Sequence, residues 1–155
     1  MAPKKKGSLA DPDRVLLANV MDHLIPPVDD LPGAGSMRLG DEIEKKAQSI
    51  PRLRSSLLRV LDALSLDLSS HAAGGYSALD SDRQDVALRA IEQSLPDDFS
   101  IFLDFVYTVY YTERTVHSRI GWHGRPPQPD GYEMKAFDSS VLSKIAHREP
   151  FWRKA

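Results

Sequence analysis

The chain contains no cysteine, which excludes a disulfide framework, a thiolate metal site and a cysteine nucleophile together. It also lacks any long apolar run. The longest stretch without Asp, Glu, Lys or Arg is Leu68–Leu79, and it holds Ser69, Ser70, His71, Gly74 and Gly75. A membrane-spanning helix needs about 20 consecutive apolar residues, so no span is expected. No two arginines are adjacent, so the twin-arginine export motif is missing. Nothing apolar comes after Lys4, Lys5 and Lys6 to form the apolar part of a secretory signal. These absences predict a soluble, cytoplasmic protein, or a periplasmic one if it is exported together with a partner.

What is present suits one folded domain. The 155 residues are 41% hydrophobic and 27% charged, which fits a domain of about 100–200 residues and not a disordered chain. The net charge of -2 conceals an asymmetry. Residues 1–10 carry three lysines and no acid, whereas residues 11–112 carry nine Lys/Arg against seventeen Asp/Glu. Residues 113–155 reverse the sign, with eight against five. An acidic body with basic ends does not present the concentrated basic face that a polyanion requires, so no nucleic-acid partner is expected. Met1–Ser8 reads as a solvated tail, so residues 1–10 form a disordered basic segment.

Helical periodicity runs through most of the chain beyond this tail. Asp11 is expected to cap a first helix, with Pro12 at its first position and Asp13 in its first turn. Val15, Leu16, Val20, Met21, Leu24 and Ile25 then recur at helical spacing until Pro26-Pro27 ends the helix. Residues 26–36 form a loop, in which Pro26, Pro27, Pro32, Gly33 and Gly35 predict a rigid connector whose glycines adopt angles that other residues resist. Ser36 or Gly40 opens a short second helix that reaches about Ser49. A third begins at Pro51 with a stripe of Leu53, Leu57, Val60 or Leu61, Leu64 and Leu68, widened by Leu58 and Leu66. Asp80 caps a fourth, with Ala87, Leu88, Ile91 and Leu95 on its apolar face and Pro96 as its stop. The fifth, Phe99 to about Tyr111, is apolar nearly all round, with Asp104 its only interior charge. A short turn of helix spans Glu113–Arg119, and Asp138 caps a last one from Ser139 to about His147. No segment alternates as a strand would. The predicted fold is all-α, with five or six helices around one core over residues 11–112 and a partly irregular, Pro- and aromatic-rich arm over residues 113–155.

Catalytic and metal-binding patterns fail one after another. Gly33-Ala34-Gly35 has no third glycine at the dinucleotide spacing, where Arg38 stands, and no strand precedes it. The acidic run from Asp80 lacks the glycine (Asp85 instead) and the glutamate (Ile91 instead) of a calcium loop. The five histidines form no i,i+3 or i,i+4 pair with a carboxylate. The pairs Asp29-Asp30 and Asp97-Asp98 sit at helix boundaries and do not converge on a substrate. No catalytic residue, cofactor-binding residue or metal ligand is predicted.

The arm stands out instead. Trp122, Tyr132, Phe137, Phe151 and Trp152 lie among prolines and arginines, outside any periodic element that would bury them locally. Aromatic residues and arginine dominate binding hot spots, and consecutive prolines lower the ordering cost of docking an extended segment. Tyr110, Tyr111, Trp122, Arg125, Pro126, Pro127 and Tyr132 are the predicted partner-binding residues. The alternative is that the arm folds back over its own helices.

Two segments resemble a known family. Leu24-Ile25-Pro26-Pro27-Val28-Asp29-Asp30-Leu31-Pro32-Gly33-Ala34-Gly35 is similar to a signature of the gluconate 2-dehydrogenase small (gamma) subunit family. So is Tyr110-Tyr111-Thr112-Glu113 together with Gly121-Trp122-His123-Gly124-Arg125-Pro126-Pro127-Gln128-Pro129-Asp130-Gly131-Tyr132. The resemblance implies a non-catalytic subunit that stabilises or escorts a large FAD-binding dehydrogenase of the glucose–methanol–choline type, which acts on a sugar, sugar acid or polyol. A cytochrome c subunit often completes such complexes. The flavin is then expected in the partner, with none in this chain. Where family members carry a twin-arginine signal this sequence has none, which points to a cytoplasmic partner. Two other classes stand beside this reading: a helical regulatory or nucleic-acid-binding module using Lys4–Lys6, and a stand-alone enzyme.

Overall fold

The computed structural model describes residues 9–122 and 136–146. Its helices are α1 (Asp11–Leu24), α2 (Leu39–Ser49), α3 (Pro51–Ser65), α4 (Leu68–Ala73), α5 (Ser81–Ser94), α6 (Pro96–Tyr111), α7 (Arg114–Arg119) and α8 (Ser140–Ile145), with a 3-10 turn at Tyr76–Ala78. Among the described residues there is no strand, and the only β-type pairing is an isolated bridge between Val28 and Leu31. The all-α expectation holds.

Helix α3 pairs with α6 at the centre, α2 and α5 each pack on both, and α1 lies against α2, α3 and the 3-10 turn. Leu53, Leu57, Val60, Leu61 and Leu64 of α3 are buried against Phe99, Phe102, Val106 and Val109 of α6 in one core. These positions recur at three- and four-residue intervals, so each helix turns one stripe inward. Because α6 is apolar beyond that stripe, its second face reaches the surface at Tyr107 and Tyr111. Helix α7 packs on α6 and buries Val116, which extends this compact unit past Thr112. Helix α8 belongs to a separate unit, in which Phe137, Val141 and Leu142 are exposed and Asp138 accepts a hydrogen bond from the Ser140 amide at 3.0 Å.

Several local expectations change. The residue flanking α1 is Ala10, and Asp11 is already helical, adding charge to the first turn without capping it. Leu66 and Leu68 do not extend the α3 stripe but are 76% and 85% exposed. The reason is a break in phase: α3 stops at Ser65, and Asp67 caps a new helix by accepting from the Ser70 amide at 2.8 Å. Asp80 caps α5 as expected, accepting from the Arg83 amide at 2.9 Å. Pro96 does not merely end α5 but opens α6 at its first position, where a missing N–H costs nothing.

Three polar contacts cross the helical layers. Buried Glu44 of α2 accepts from the Leu9 amide and from Arg14 Nε and Nη2 of α1, each at 3.0 Å. Buried Ser56 of α3 donates to Asp98 of α6 at 2.7 Å, and Arg59 reaches the other Asp98 oxygen at 3.1 Å. His23 of α1 meets Asp85 of α5 at 2.7 Å.

Candidate functional site

The first segment singled out in the sequence lies against α7, which follows Tyr110–Glu113 of the second. Pro26 and Pro27 end α1, and the chain then reverses through Val28 and Leu31, which exchange N–H···O bonds of 3.0 and 2.9 Å. Asp29 sits in that reversal at φ 52°, a left-handed angle that aspartate tolerates better than most residues. Its carboxylate pairs with Arg119 of α7, whose Nε lies 3.3 Å from Asp30 Oδ1. One guanidinium thus clamps two adjacent carboxylates 90 and 89 positions away in sequence. All three side chains are substantially exposed, so the clamp is an orienting device more than a source of stability.

The return limb of the loop is held by α1. The Ala34 amide donates to the Ile25 carbonyl at 3.1 Å, and Asp22 accepts from both the amide and the hydroxyl of Ser36 at 2.9 Å. Gly33, Ala34 and Gly35 are all buried. Neither glycine has the positive φ expected of it; among the described glycines, that angle occurs at Gly74, Gly75 and Gly121. Gly33 and Gly35 are required by proximity. A β-carbon on Gly35 would stand 1.9 Å from the Ala18 carbonyl oxygen, and one on Gly33 2.2 Å from Asp22 Oδ1. Pro26, Pro27 and Pro32 are exposed along the outer limb.

Beside the clamp, the end of α6 and α7 form an aromatic rim. Tyr110 is half-buried against the core, whereas Tyr107, Tyr111, Ile120 and Trp122 are exposed. The Tyr111 ring lies edge-on to Tyr110 at 5.3 Å and tilted against Tyr107 at 6.3 Å. Trp122 does not lack helical support, as its sequence neighbours suggest it should. Its amide donates to the His117 carbonyl at 2.9 Å, and its indole meets the His117 ring edge-on at 4.3 Å. His117 Nε2 in turn donates to the Tyr111 carbonyl, tying the indole back to the end of α6. Trp122 remains 47% exposed on this support, a pre-positioned aromatic surface.

Between the loop and α7 lies a groove of about 690 Å³, lined by Leu31, Pro32 and Met37 from the loop and by Glu113, Thr115 and Ser118 at α7. Sequence reasoning misses Arg119, Met37 and His117. The only signal for Arg119 is the otherwise unexplained Asp29-Asp30 pair, which in sequence looks like a helix boundary. Arg125, Pro126, Pro127 and Tyr132, predicted to bind a partner, lie outside the described residues, as do Phe151 and Trp152. Among the described residues, no cluster of three or more His, Asp or Glu could hold a metal ion, and no helix is long and apolar enough to cross a membrane.

Comparison with curated proteins finds no match, and comparison with solved structures finds none. The model of one family, gluconate 2-dehydrogenase subunit 3, matches residues 11–125, from the first residue of α1 through the loop, the clamp and the aromatic rim. That span covers most of the chain, the whole of the first segment and the second as far as Arg125, so the chain belongs to the gluconate 2-dehydrogenase subunit 3 family.

Proposed function

We propose that this chain is the non-catalytic small subunit of a dehydrogenase complex and that it stabilises a large, FAD-dependent subunit acting on a sugar or sugar acid of the gluconate type. The observation that carries the reading is the aromatic rim of Tyr107, Tyr111, Ile120 and Trp122, exposed yet held in place by α6 and His117. Rigid aromatic surface of this kind is characteristic of binding hot spots, and family membership supplies the class of complex. The flavin is placed in the large subunit, as the family resemblance implies; the described residues form helices and loops, without the strand–glycine loop–helix unit that cradles a dinucleotide. A cytochrome c subunit would accept the electrons.

Co-expression with the candidate large subunit, with a tag on this chain alone, tests the reading. The expected result is a retained partner with flavin absorbance and a higher soluble yield of the large subunit than when it is expressed alone. Stoichiometric FAD on the isolated small chain, or gluconate oxidation by it without a partner, overturns the proposal.

A further inference from the structure

Helix α7 ends in a turn that brings Trp122 back over His117. Gly121 takes a left-handed φ of 72°. Its amide donates to the Ser118 carbonyl at 3.3 Å, and the next amide, that of Trp122, donates to the His117 carbonyl at 2.9 Å. This is the bond pattern of a Schellman motif, in which the residue after the left-handed glycine packs on the third residue from the helix end. Here those two residues carry rings, which cross at 80° with centroids 4.3 Å apart. The backbone bonds fix the course of the main chain at Trp122, and the imidazole orients the indole.

The proton inventory of that imidazole is constrained. Nε2 meets the Tyr111 carbonyl, and a carbonyl only accepts, so Nε2 carries a hydrogen in the neutral and the charged ring alike. Nδ1 is therefore the nitrogen that gains or loses a proton. Tyr111 is the last residue of α6, where carbonyls without intrahelical partners carry the negative end of the helix dipole. A proton on Nδ1 makes the bond to Tyr111 charge-assisted and sets a cation at the favourable end of the helix. The charged ring also lies within the range of a cation–π contact with the indole, about 6 Å. The other ionisable groups on the surrounding elements are Glu113, Arg114 and Arg119 at α7 and Tyr107, Tyr110 and Tyr111 on the last turns of α6. Asp29 and Asp30 of the loop are engaged with Arg119, and His123 follows Trp122 in sequence, outside the described residues. Carboxylates, guanidinium groups and phenols ordinarily keep their charge between about pH 5 and pH 8, whereas histidine changes it.

We propose that His117 is a proton-operated latch on Trp122: uptake of a proton at Nδ1 fastens the indole to the end of α6, and loss of that proton frees the indole to move on its backbone turn. His117 is a positioning residue, acting through Trp122. Resting on the reading of the rim as the partner surface, the latch makes association with the large subunit tighten as pH falls from about 8 to about 5.5. The sign follows from ordering, because an indole already held has lost the side-chain freedom that docking would otherwise remove.

The test uses the full chain carrying Trp152→Phe, which leaves Trp122 as its one tryptophan. On the isolated chain, Trp122 emission should pass through a transition between about pH 5 and pH 8, because an imidazolium quenches an adjacent indole more than the neutral ring does. Time-resolved anisotropy should show less fast indole motion at about pH 5.5 than at about pH 8. His117→Gln keeps an amide donor for the Tyr111 carbonyl but cannot titrate, so it should abolish both responses. His123→Gln should retain both. A flat profile, freer indole motion at the acid end, a response that survives His117→Gln or one that vanishes with His123→Gln overturns the latch. Titration with the large subunit is then compared at the same two pH values. Kd should be several-fold lower at the acid one, and that ratio should shrink toward one in His117→Gln; equal ratios in the two chains overturn the regulatory role. Absence of association at both pH values removes the proposed function and the regulatory role with it, while the latch is decided by the fluorescence readouts, which need no partner.

Discussion

Gly35 packs directly on the backbone of Ala18: an added β-carbon would lie 1.9 Å from the Ala18 carbonyl oxygen and 2.6 Å from its carbonyl carbon. The loop after α1 is therefore seated on the helix it has just left, and only hydrogen fits between them. Gly33 has a softer neighbour, since its nearest atom is the Asp22 carboxylate, which can rotate at the expense of its two bonds to Ser36.

That difference predicts an order. Gly35→Ala should cost about 3 kcal/mol, at the upper end of the overpacking range, because helix backbone cannot yield. Gly33→Ala should cost about 1–2 kcal/mol, since a side chain moves and hydrogen bonds are lost. Urea denaturation of both variants checks the ranking. Equal costs would mean that the loop lifts away from α1 as a unit.

The helices are legible in the sequence because their signals are local. Proline and aspartate at the starts of α1 and α6, the leucine spacing of α3 and the Asp80 cap each act within a few residues. What cannot be read there is set by distant partners. Nothing near Gly35 announces that Ala18 will lie beneath it, and nothing near Asp29 announces Arg119. Leu66 and Leu68 fit the α3 period and still face solvent, because Asp67 starts a new helix between them. The aromatic rim is half legible: the aromatics of α6 and Trp122 are visible, but the support from His117 depends on a turn that brings residue 122 back over residue 117.

Glu44 should matter more than its surroundings suggest. It is buried and accepts three hydrogen bonds from the segment Leu9–Arg14, whereas Glu42 on the same helix is exposed and makes a 3.7 Å contact with Lys45. Glu44→Ala should lower the melting temperature by several degrees and expose the start of α1 to proteolysis. Glu42→Ala should do neither. Thermal melts and limited trypsin digestion of the two variants make the comparison.

Acid should weaken the contact between α3 and α6. The Ser56 hydroxyl first, and Arg59 second, hold the Asp98 carboxyl below its usual value. A carboxylate with a lowered folded-state pKa contributes stability above its unfolded value, about 3.9, and loses it as pH falls through the folded value. The wild type should therefore exceed Asp98→Asn in melting temperature near neutrality, and the gap should close on acidification below about pH 4. A gap that stays constant from neutral pH into that acid range would assign the Asp98 effect to helix capping or packing instead of its charge.

Trp122 is the sharpest test of the partner surface. Its indole is half exposed, its ring contact among the described residues is with His117, and its amide bond to His117 needs no side chain. Trp122→Ala should therefore leave the helical core intact and change the melting temperature of the isolated chain little. If the rim anchors the large subunit, the same change should weaken association by about 2–4 kcal/mol, the range of a central aromatic hot spot. His117→Ala provides a graded control: it keeps the indole but removes the support, so it should weaken association less than Trp122→Ala. The competing reading, in which Trp122 seals the chain's own fold, requires a clear fall in melting temperature with no specific loss of binding. Calorimetry on the isolated variants, with titration of the large subunit, separates the two. Unchanged association of Trp122→Ala with the large subunit would remove the rim from the interface.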